Sequence, residues 1–268
     1  MDNPPDEPLA TPLLSVRGVT VRFGGIVALD GVSFDVARGQ VCGLIGPNGA
    51  GKTTLFNCLS RLYDCNAGDI LFEGRSITAL PTHRIAGLGL GRTFQNLAMF
   101  RTMAVRENVM VGAHARSSAG FVSSALRLPR VGAEERRLRE RAGEIMSYLG
   151  LGPVAGRAVG DLPFATQKRV ELARALAADP KLLLLDEPAA GLNHEELAGL
   201  ARLIRDICER LKITVLLVEH HMSLVMGVSD NIVALNFGRK IAEGSPAEIQ
   251  NHPEVIEAYL GAPHAQAA

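Results

Sequence analysis

Hydrophobic positions recur along this chain with two distinct periods. Residues 13–23 (LLSVRGVTVRF) alternate apolar and polar side chains and are rich in β-branched residues, which predicts a strand. Val32 to Val36 predicts a second, shorter strand, with turn signals at Gly24-Gly25 and Arg38-Gly39. Val41 to Ile45 (VCGLI) is a continuous apolar run, the pattern of a strand buried on both faces. A glycine-rich loop follows it directly, and Lys52 to Leu62 then reads as a helix. Ile70 to Phe72 predicts a short strand before the turn at Glu73-Gly74.

The middle of the chain changes period. Leu138, Ala142, Ile145 and Leu149 recur at four-three-four spacing among charged residues, which predicts an amphipathic helix. Residues 97–165 are therefore expected to form a helical subdomain, closing in a Gly-rich connector at 150–160. Buried strands return at Leu182 to Leu185 and Ile213 to Val218, with a helix at Glu195 to Leu211 between them. Asn231 to Asn236 and Lys240 to Glu243 predict the last strands. Buried strands alternating with helices imply an α/β fold with a mainly parallel sheet covered on both faces. Residues 13–262 are expected to form one domain, with 1–12 and 263–268 as disordered tails.

Composition narrows the function. The 268 residues are 47% hydrophobic, enough for a sizeable core, and 28 basic residues balance 28 acidic ones. A protein that coats nucleic acid carries a basic excess, so no nucleic-acid partner is expected. The four cysteines, Cys42, Cys58, Cys65 and Cys208, have the spacing of neither a disulfide framework nor a zinc site. Residues 1–12 are acidic and Pro-rich and lack the pattern of a signal peptide. No apolar run approaches the ~20 residues that span a bilayer. The chain is thus expected to be cytoplasmic, reaching a membrane only by docking onto another protein.

Chemistry concentrates in a few segments. Gly46-Pro47-Asn48-Gly49-Ala50-Gly51-Lys52-Thr53 fits the phosphate-loop pattern G-x-x-x-x-G-K-[ST]. Glycines allow backbone N–H groups to close around phosphate oxygens, and the helix that follows aims its positive end at the same place. Lys52 supplies a mobile charge to the β- and γ-phosphates, and the Thr53 hydroxyl can ligate Mg²⁺. Leu182-Leu183-Leu184-Leu185-Asp186-Glu187 is an apolar strand ending in two carboxylates. The first can hold Mg²⁺ through water, and the second can polarise an attacking water. Gln95 precedes the helical segment, His220 follows the strand at 213–218, and Phe23 ends the first strand. A Gln amide can contact a metal or water, an imidazole can donate to a γ-phosphate, and an aromatic ring can stack on adenine.

Taken together and in order, the loop at 46–53, Gln95, the segment 162–169, the strand 182–187 and His220 resemble the nucleotide-binding subunit of an ATP-binding cassette (ABC) transporter. The resemblance covers about residues 14–260. It implies ATP and Mg²⁺ as ligands, with Phe23 as the adenine-stacking aromatic and residues 46–53 and Thr54 at the phosphates. It further implies Thr53, Gln95 and Asp186 at the metal, Glu187 as the catalytic carboxylate and His220 as the switch histidine. Leu162-Pro163-Phe164-Ala165-Thr166-Gln167 would be the signature offered to a partner's ATP. Segments such as Gly91-Arg92-Thr93-Phe94-Gln95-Asn96 and Glu254-Val255-Ile256-Glu257-Ala258-Tyr259-Leu260-Gly261 are similar to branched-chain amino acid importers, a branch with relatives that move amides or urea.

That branch implies two permease subunits, a second ATPase that is related or identical, and a periplasmic binding protein reached indirectly. It also implies a peripheral place at the cytoplasmic face of the inner membrane. A lipid or glycan exporter cassette and a weakly hydrolysing regulatory subunit are the alternative readings. Three segments depart from the family pattern. Pro163, Ala165 and Thr166 replace Ser, Gly and Gln of the signature L-S-G-G-Q; Asn193 replaces an Asp; and His221 replaces an Asp. The face at Asn96 to Arg106 is a candidate for permease contact, and the apolar face of Phe121, Val122, Ala125 and Leu126 is expected to pack inside the subdomain or, as the alternative, to meet a permease or partner.

Overall fold

The structure, a computed structural model, describes residues 11–93, 99–113 and 129–260, with the side chains of 129–135 excepted. Residues 1–10 and 263–268 of the expected tails, Gln95, the apolar face at 121–126 and part of the face at 96–106 lie outside the described residues.

Two sheets organise the chain. The first is antiparallel, in the order β2-β1-β4-β5. It contains β1 (Leu14–Phe23), β2 (Ile26–Val36), β4 (Ala67–Phe72) and β5 (Arg75–Ser76). The second runs β10-β9-β3-β8-β7-β6. Its strands are β3 (Val41–Ile45), β6 (Leu90–Arg92), β7 (Leu182–Asp186), β8 (Thr214–Val218), β9 (Asn231–Asn236) and β10 (Arg239–Gly244). All neighbours in it pair in parallel except the β9–β10 hairpin.

The continuous apolar strands are explained by what covers each face. Val41, Leu183, Leu185, Val215 and Leu217 point into one cluster, with the helices. Their alternating neighbours Cys42, Leu44, Leu182, Leu184, Leu216 and Val218 point into another, with the antiparallel sheet. A strand enclosed on both sides has no polar face to alternate with.

Helices α1 (Lys52–Leu59) and α2 (Ile85–Leu88) precede β6. Helix α3 (Val105–Ala113) and helix α4 (Pro129–Tyr148) pack with α5 (Phe164–Ala177). Ala142 and Ile145 on α4 and Leu149 beyond it enter the helical cluster together with Val105 and Val109. Helix α5 begins inside the expected subdomain range and runs well past residue 165. Helix α6 (His194–Leu211) follows β7, α7 (Met222–Val228) follows β8, and the short α8 (Pro246–Gln250) and α9 (Pro253–Leu260) end the described chain.

Several elements differ from expectation: β4 starts at Ala67 rather than Ile70, and β5, β6 and helices α2, α7, α8 and α9 lie where the sequence predicts no element. Strand β2 starts at Ile26, six residues before Val32, because its first residues pair with β1 at the exposed edge, where no hydrophobic alternation marks them. Helix α1 stops at Leu59 rather than Leu62. Arg61 takes a left-handed φ of 57°. The N–H of Arg61 donates to Cys58 O at 3.0 Å and that of Leu62 to Asn57 O at 2.8 Å, a Schellman closure that ends the helix despite the apolar Leu62.

Asn193 gains a structural reason. Its side chain caps α6 by accepting from the Glu196 N–H, and the Glu196 carboxylate accepts from the Asn193 N–H in return. Asp and Asn are comparable caps, so the exchange preserves the helix start. Asn193→Ala should cost about 1 kcal/mol in urea unfolding, while Asn193→Asp should change stability by less than about 0.5 kcal/mol.

Candidate nucleotide site

Strand β3 delivers the chain to the glycine-rich loop at the carboxyl edge of the parallel sheet, the side on which open α/β sheets bind ligands. Gly46 has a φ of 149°, and a Cβ there would stand 2.2 Å from the Leu235 carbonyl oxygen. Gly49 has a φ of 80° with open space where a side chain would be. Gly51 has a φ of 101° and precedes α1 with no side chain to cap the helix. The first-turn N–H groups of a helix have no intrahelical acceptor, so the loop ends in donors aimed outward.

Lys52 is buried, and its ammonium donates to the carbonyls of Gly46 at 2.6 Å and Pro47 at 3.0 Å. Burial lowers its basicity, and the charges of Glu187 and Asp186 oppose that shift. Lys52 therefore lies within the field of both predicted carboxylates. Thr53 is exposed and Thr54 half-buried on the first turn of α1. Pro47 and Asn48 line a hollow beside the loop, shared with Phe237 and Glu254. Ala50 is buried, and its carbonyl accepts from the Gly238 N–H at 3.1 Å.

Asp186 ends β7 and is almost fully buried. Burial pushes its carboxyl above the usual carboxylate range, and Arg92 opposes the shift. Arg92 donates to Asp186 Oδ2 at 2.9 Å and also to Phe56 O, Asn57 Oδ1 and Ser60 Oγ, joining the end of α1 to the strand. Glu187 takes a left-handed φ of 47°, rare for a residue with a side chain, while its N–H donates to Val218 O at 2.9 Å. The turn swings the second carboxylate out of the strand direction immediately after the first.

His220 lies just beyond β8 with its ring half exposed, 4.3 Å between centroids from the ring of His221. Glu219 beside them is fully buried. The ligand atoms of these three residues lie within 4.8 Å of one another. Both Glu219 oxygens already accept N–H donors, Oε1 from Ala189 and Oε2 from His220 and His221, so the cluster forms a hydrogen-bond network. Phe23 is half exposed and meets Tyr63 edge-on at 5.2 Å between ring centroids.

The segment 162–167 stands at the start of α5. Leu162 is buried, Pro163 occupies the N-cap without a side-chain hydrogen bond, and Phe164 is half exposed. The N–H groups of Thr166 and Gln167 donate to Pro163 O, and Gln167 Nε2 donates to Leu162 O at 2.8 Å. Ala165 lines a cavity with Lys168 and Pro188. A Cβ on Gly191 would stand 2.9 Å from the Phe164 ring, so the loop after β7 packs against this segment.

Three contributors escaped the sequence reading: Arg92, Glu219 and Tyr259. The Tyr259 hydroxyl, on α9, accepts from the Gly46 N–H at 2.8 Å and so ties the C-terminal helix to the loop. A charged residue inside or directly after an apolar strand was the available signal for Arg92 and Glu219. No local pattern marks Tyr259.

The fold and loop define a class: a phosphate-loop ATPase cassette with an antiparallel sheet and a set of packed helices on its core. A family profile described as "ABC transporter" matches residues 29–190, more than half of the chain. The chain belongs to that family, as an ATP-binding and ATP-hydrolysing subunit. A second profile, "Branched-chain amino acid ATP-binding cassette transporter", matches residues 239–265.

The chain is 43% identical over 253 residues to the high-affinity branched-chain amino acid transport ATP-binding protein BraF of Pseudomonas aeruginosa, covering 94% of this chain and 99% of that protein. It is 42% identical, with the same coverage, to LivG of Escherichia coli, which carries the same description. A nucleotide-free ATP-binding cassette from an ABC transporter superimposes with a TM-score of 0.81 at 31% identity, over 94% of this chain and 100% of that one. The ADP conformation of the cassette MJ1267 gives 0.81 at 30%, over 94% and 99%.

The Arg92–Asp186 pair yields a prediction. Arg92→Met should cost about 3–5 kcal/mol, because it leaves a buried carboxylate without its partner. A carboxyl raised by burial costs the native state nothing while protonated, and its cost grows as pH rises past the unfolded value. The loss relative to wild type should therefore be larger near pH 7 than near about pH 4 in urea titrations. Equal losses at both would contradict the pairing.

Proposed function

We propose that this chain powers an importer of branched-chain amino acids, or of related amides or urea. The observation that carries this reading is its near end-to-end likeness to BraF and LivG, extended by the C-terminal match at residues 239–265. Among the described residues no helix is long and apolar enough to cross a membrane, so two permease subunits would supply the path. A substrate-binding protein outside the membrane would load them. The chain would sit at the cytoplasmic face, held by the permeases.

Residues 46–54 would hold the ATP phosphates, with Lys52 leaving the Gly46 and Pro47 carbonyls for the β- and γ-phosphates. Phe23 would stack on the adenine. The donors available for Mg²⁺ are hard oxygens, the Thr53 hydroxyl and the Asp186 carboxylate, together with the Gln95 amide, and they suit that ion. Mg²⁺ bound there supplies charge neutralisation at the phosphates. Glu187 would take the proton of the attacking water, and His220 would donate to the γ-phosphate. Residues 162–167 would face the ATP of a second cassette, so each chain completes its partner's site. Closure of the pair is driven by contacts that ATP makes only in the closed state.

One observation favours unequal sites. The loop, Asp186, Glu187 and His220 match the family pattern, while Pro163, Ala165 and Thr166 depart from it. In a pair with a related cassette, the site served by residues 162–167 of this chain would turn over more slowly. Taken further, the same departure favours a nucleotide-binding regulatory subunit with weak hydrolysis.

Glu187→Gln should retain ATP affinity within about threefold while kcat falls at least about 100-fold, read by nucleotide titration and phosphate release. Activity near wild type would remove Glu187 from the catalytic role. In the assembled two-cassette complex, replacing each catalytic Glu in turn should give unequal losses, and equal losses would remove the asymmetry. Uptake of labelled leucine by proteoliposomes holding the full complex tests the cargo, with labelled urea as the competing outcome.

A further inference from the structure

The ladder between β7 and β8 ends at the pair Asp186 and Val218. One more backbone bond follows, from the Glu187 N–H to Val218 O. Beyond it the strands part, because Glu187 turns into the left-handed region. The next link is made by a side chain: Glu219 Oε1 accepts from the Ala189 N–H at 2.7 Å. Glu219 Oε2 accepts from the His220 N–H at 3.0 Å and the His221 N–H at 3.3 Å, and lies 3.1 Å from His221 Nδ1.

This carboxylate has no solvent exposure. Burying it is costly unless its oxygens are satisfied, so its four nitrogen neighbours hold it firmly in one place. It acts as a substitute rung where the backbone ladder fails. The loop it grips continues through Gly191, packed on Phe164, to the Asn193 cap of α6.

We propose that Glu219 is a positioning residue: it fixes the His220 backbone relative to Glu187 and ties His220 to the loop at 188–193. The inference rests on the reading of His220 as the γ-phosphate donor. Movement of His220 then reaches the face of Phe164, so the chain's own site and the segment it offers its partner are mechanically joined.

The test is a double-mutant cycle in the full-length chain within its assembled complex. Glu219→Gln keeps the side-chain volume but turns one arm into a donor facing N–H donors. It should leave the ATP KM within about twofold and lower kcat at least about tenfold. In a His220→Ala background the same substitution should lower kcat by less than about threefold, because the two residues act as a unit. Losses that multiply in full would overturn the proposal and leave the role of His220 standing. An unchanged kcat in His220→Ala would overturn both.

A measurement on the unsubstituted chain covers the case in which the variants do not fold. The Ala189 and His220 amides should show hydrogen-exchange protection within about tenfold of each other. A separation beyond about 100-fold would show that they open independently and would overturn the proposal.

Discussion

The carbonyl of Leu235 lies where a side chain on Gly46 would have to stand, 2.2 Å from an added Cβ. That close approach of two backbones sets the direction in which the chain leaves β3. The turn through Gly49 and Gly51, the start of α1 at Lys52 and the return of the Lys52 ammonium to the Gly46 carbonyl all follow from it. The Tyr259 hydroxyl holds the same glycine from the other side through its N–H. The loop is thus held in shape by the protein's own contacts, and backbone donors fixed in this way cost little reorganisation when phosphates bind.

Around that loop, the site is a set of strand ends with different tethers. Asp186 is fixed by Arg92, which also grips the end of α1. Glu187 is fixed by its backbone bond to Val218 and by an unusual φ. The backbone of His220 is fixed by Glu219. Three groups that would act on one phosphate thus hang from adjacent strands β7 and β8. Rigid strands with buried polar supports hold such groups more closely than free loops do.

The parts legible in the sequence were those whose signal is contiguous. A five-residue apolar run followed by the loop pattern locates β3, the loop and α1, and the apolar run into Asp186 and Glu187 locates β7. The central strands β3, β7, β8 and β9 follow from such runs because both faces are covered, whereas β6, three residues long and ending in Arg92, carries no such run. Less legible were features made by long-range contact. Arg92 and Asp186 are 94 residues apart, and Gly46 and Tyr259 are 213 apart. No spacing rule joins them. The early end of α1 was hidden because a left-handed Arg61 closes the helix where a glycine would have been the usual signal. The exposed start of β2 was hidden because edge pairing needs no buried face. Asn193, a departure from the family pattern by its letter, proves to retain the capping chemistry of the residue it replaces.

The central claim is that these groups form half of a hydrolytic site, completed by residues 162–167 of a second cassette. It is tested most directly by the rate of ATP hydrolysis per chain as the full-length chain, alone and mixed with its cognate second cassette, is diluted. If the site needs two chains, the rate per chain falls toward zero as the pair dissociates and recovers when a second cassette is added back. A rate per chain that stays constant down to concentrations where the protein is monomeric would contradict the account.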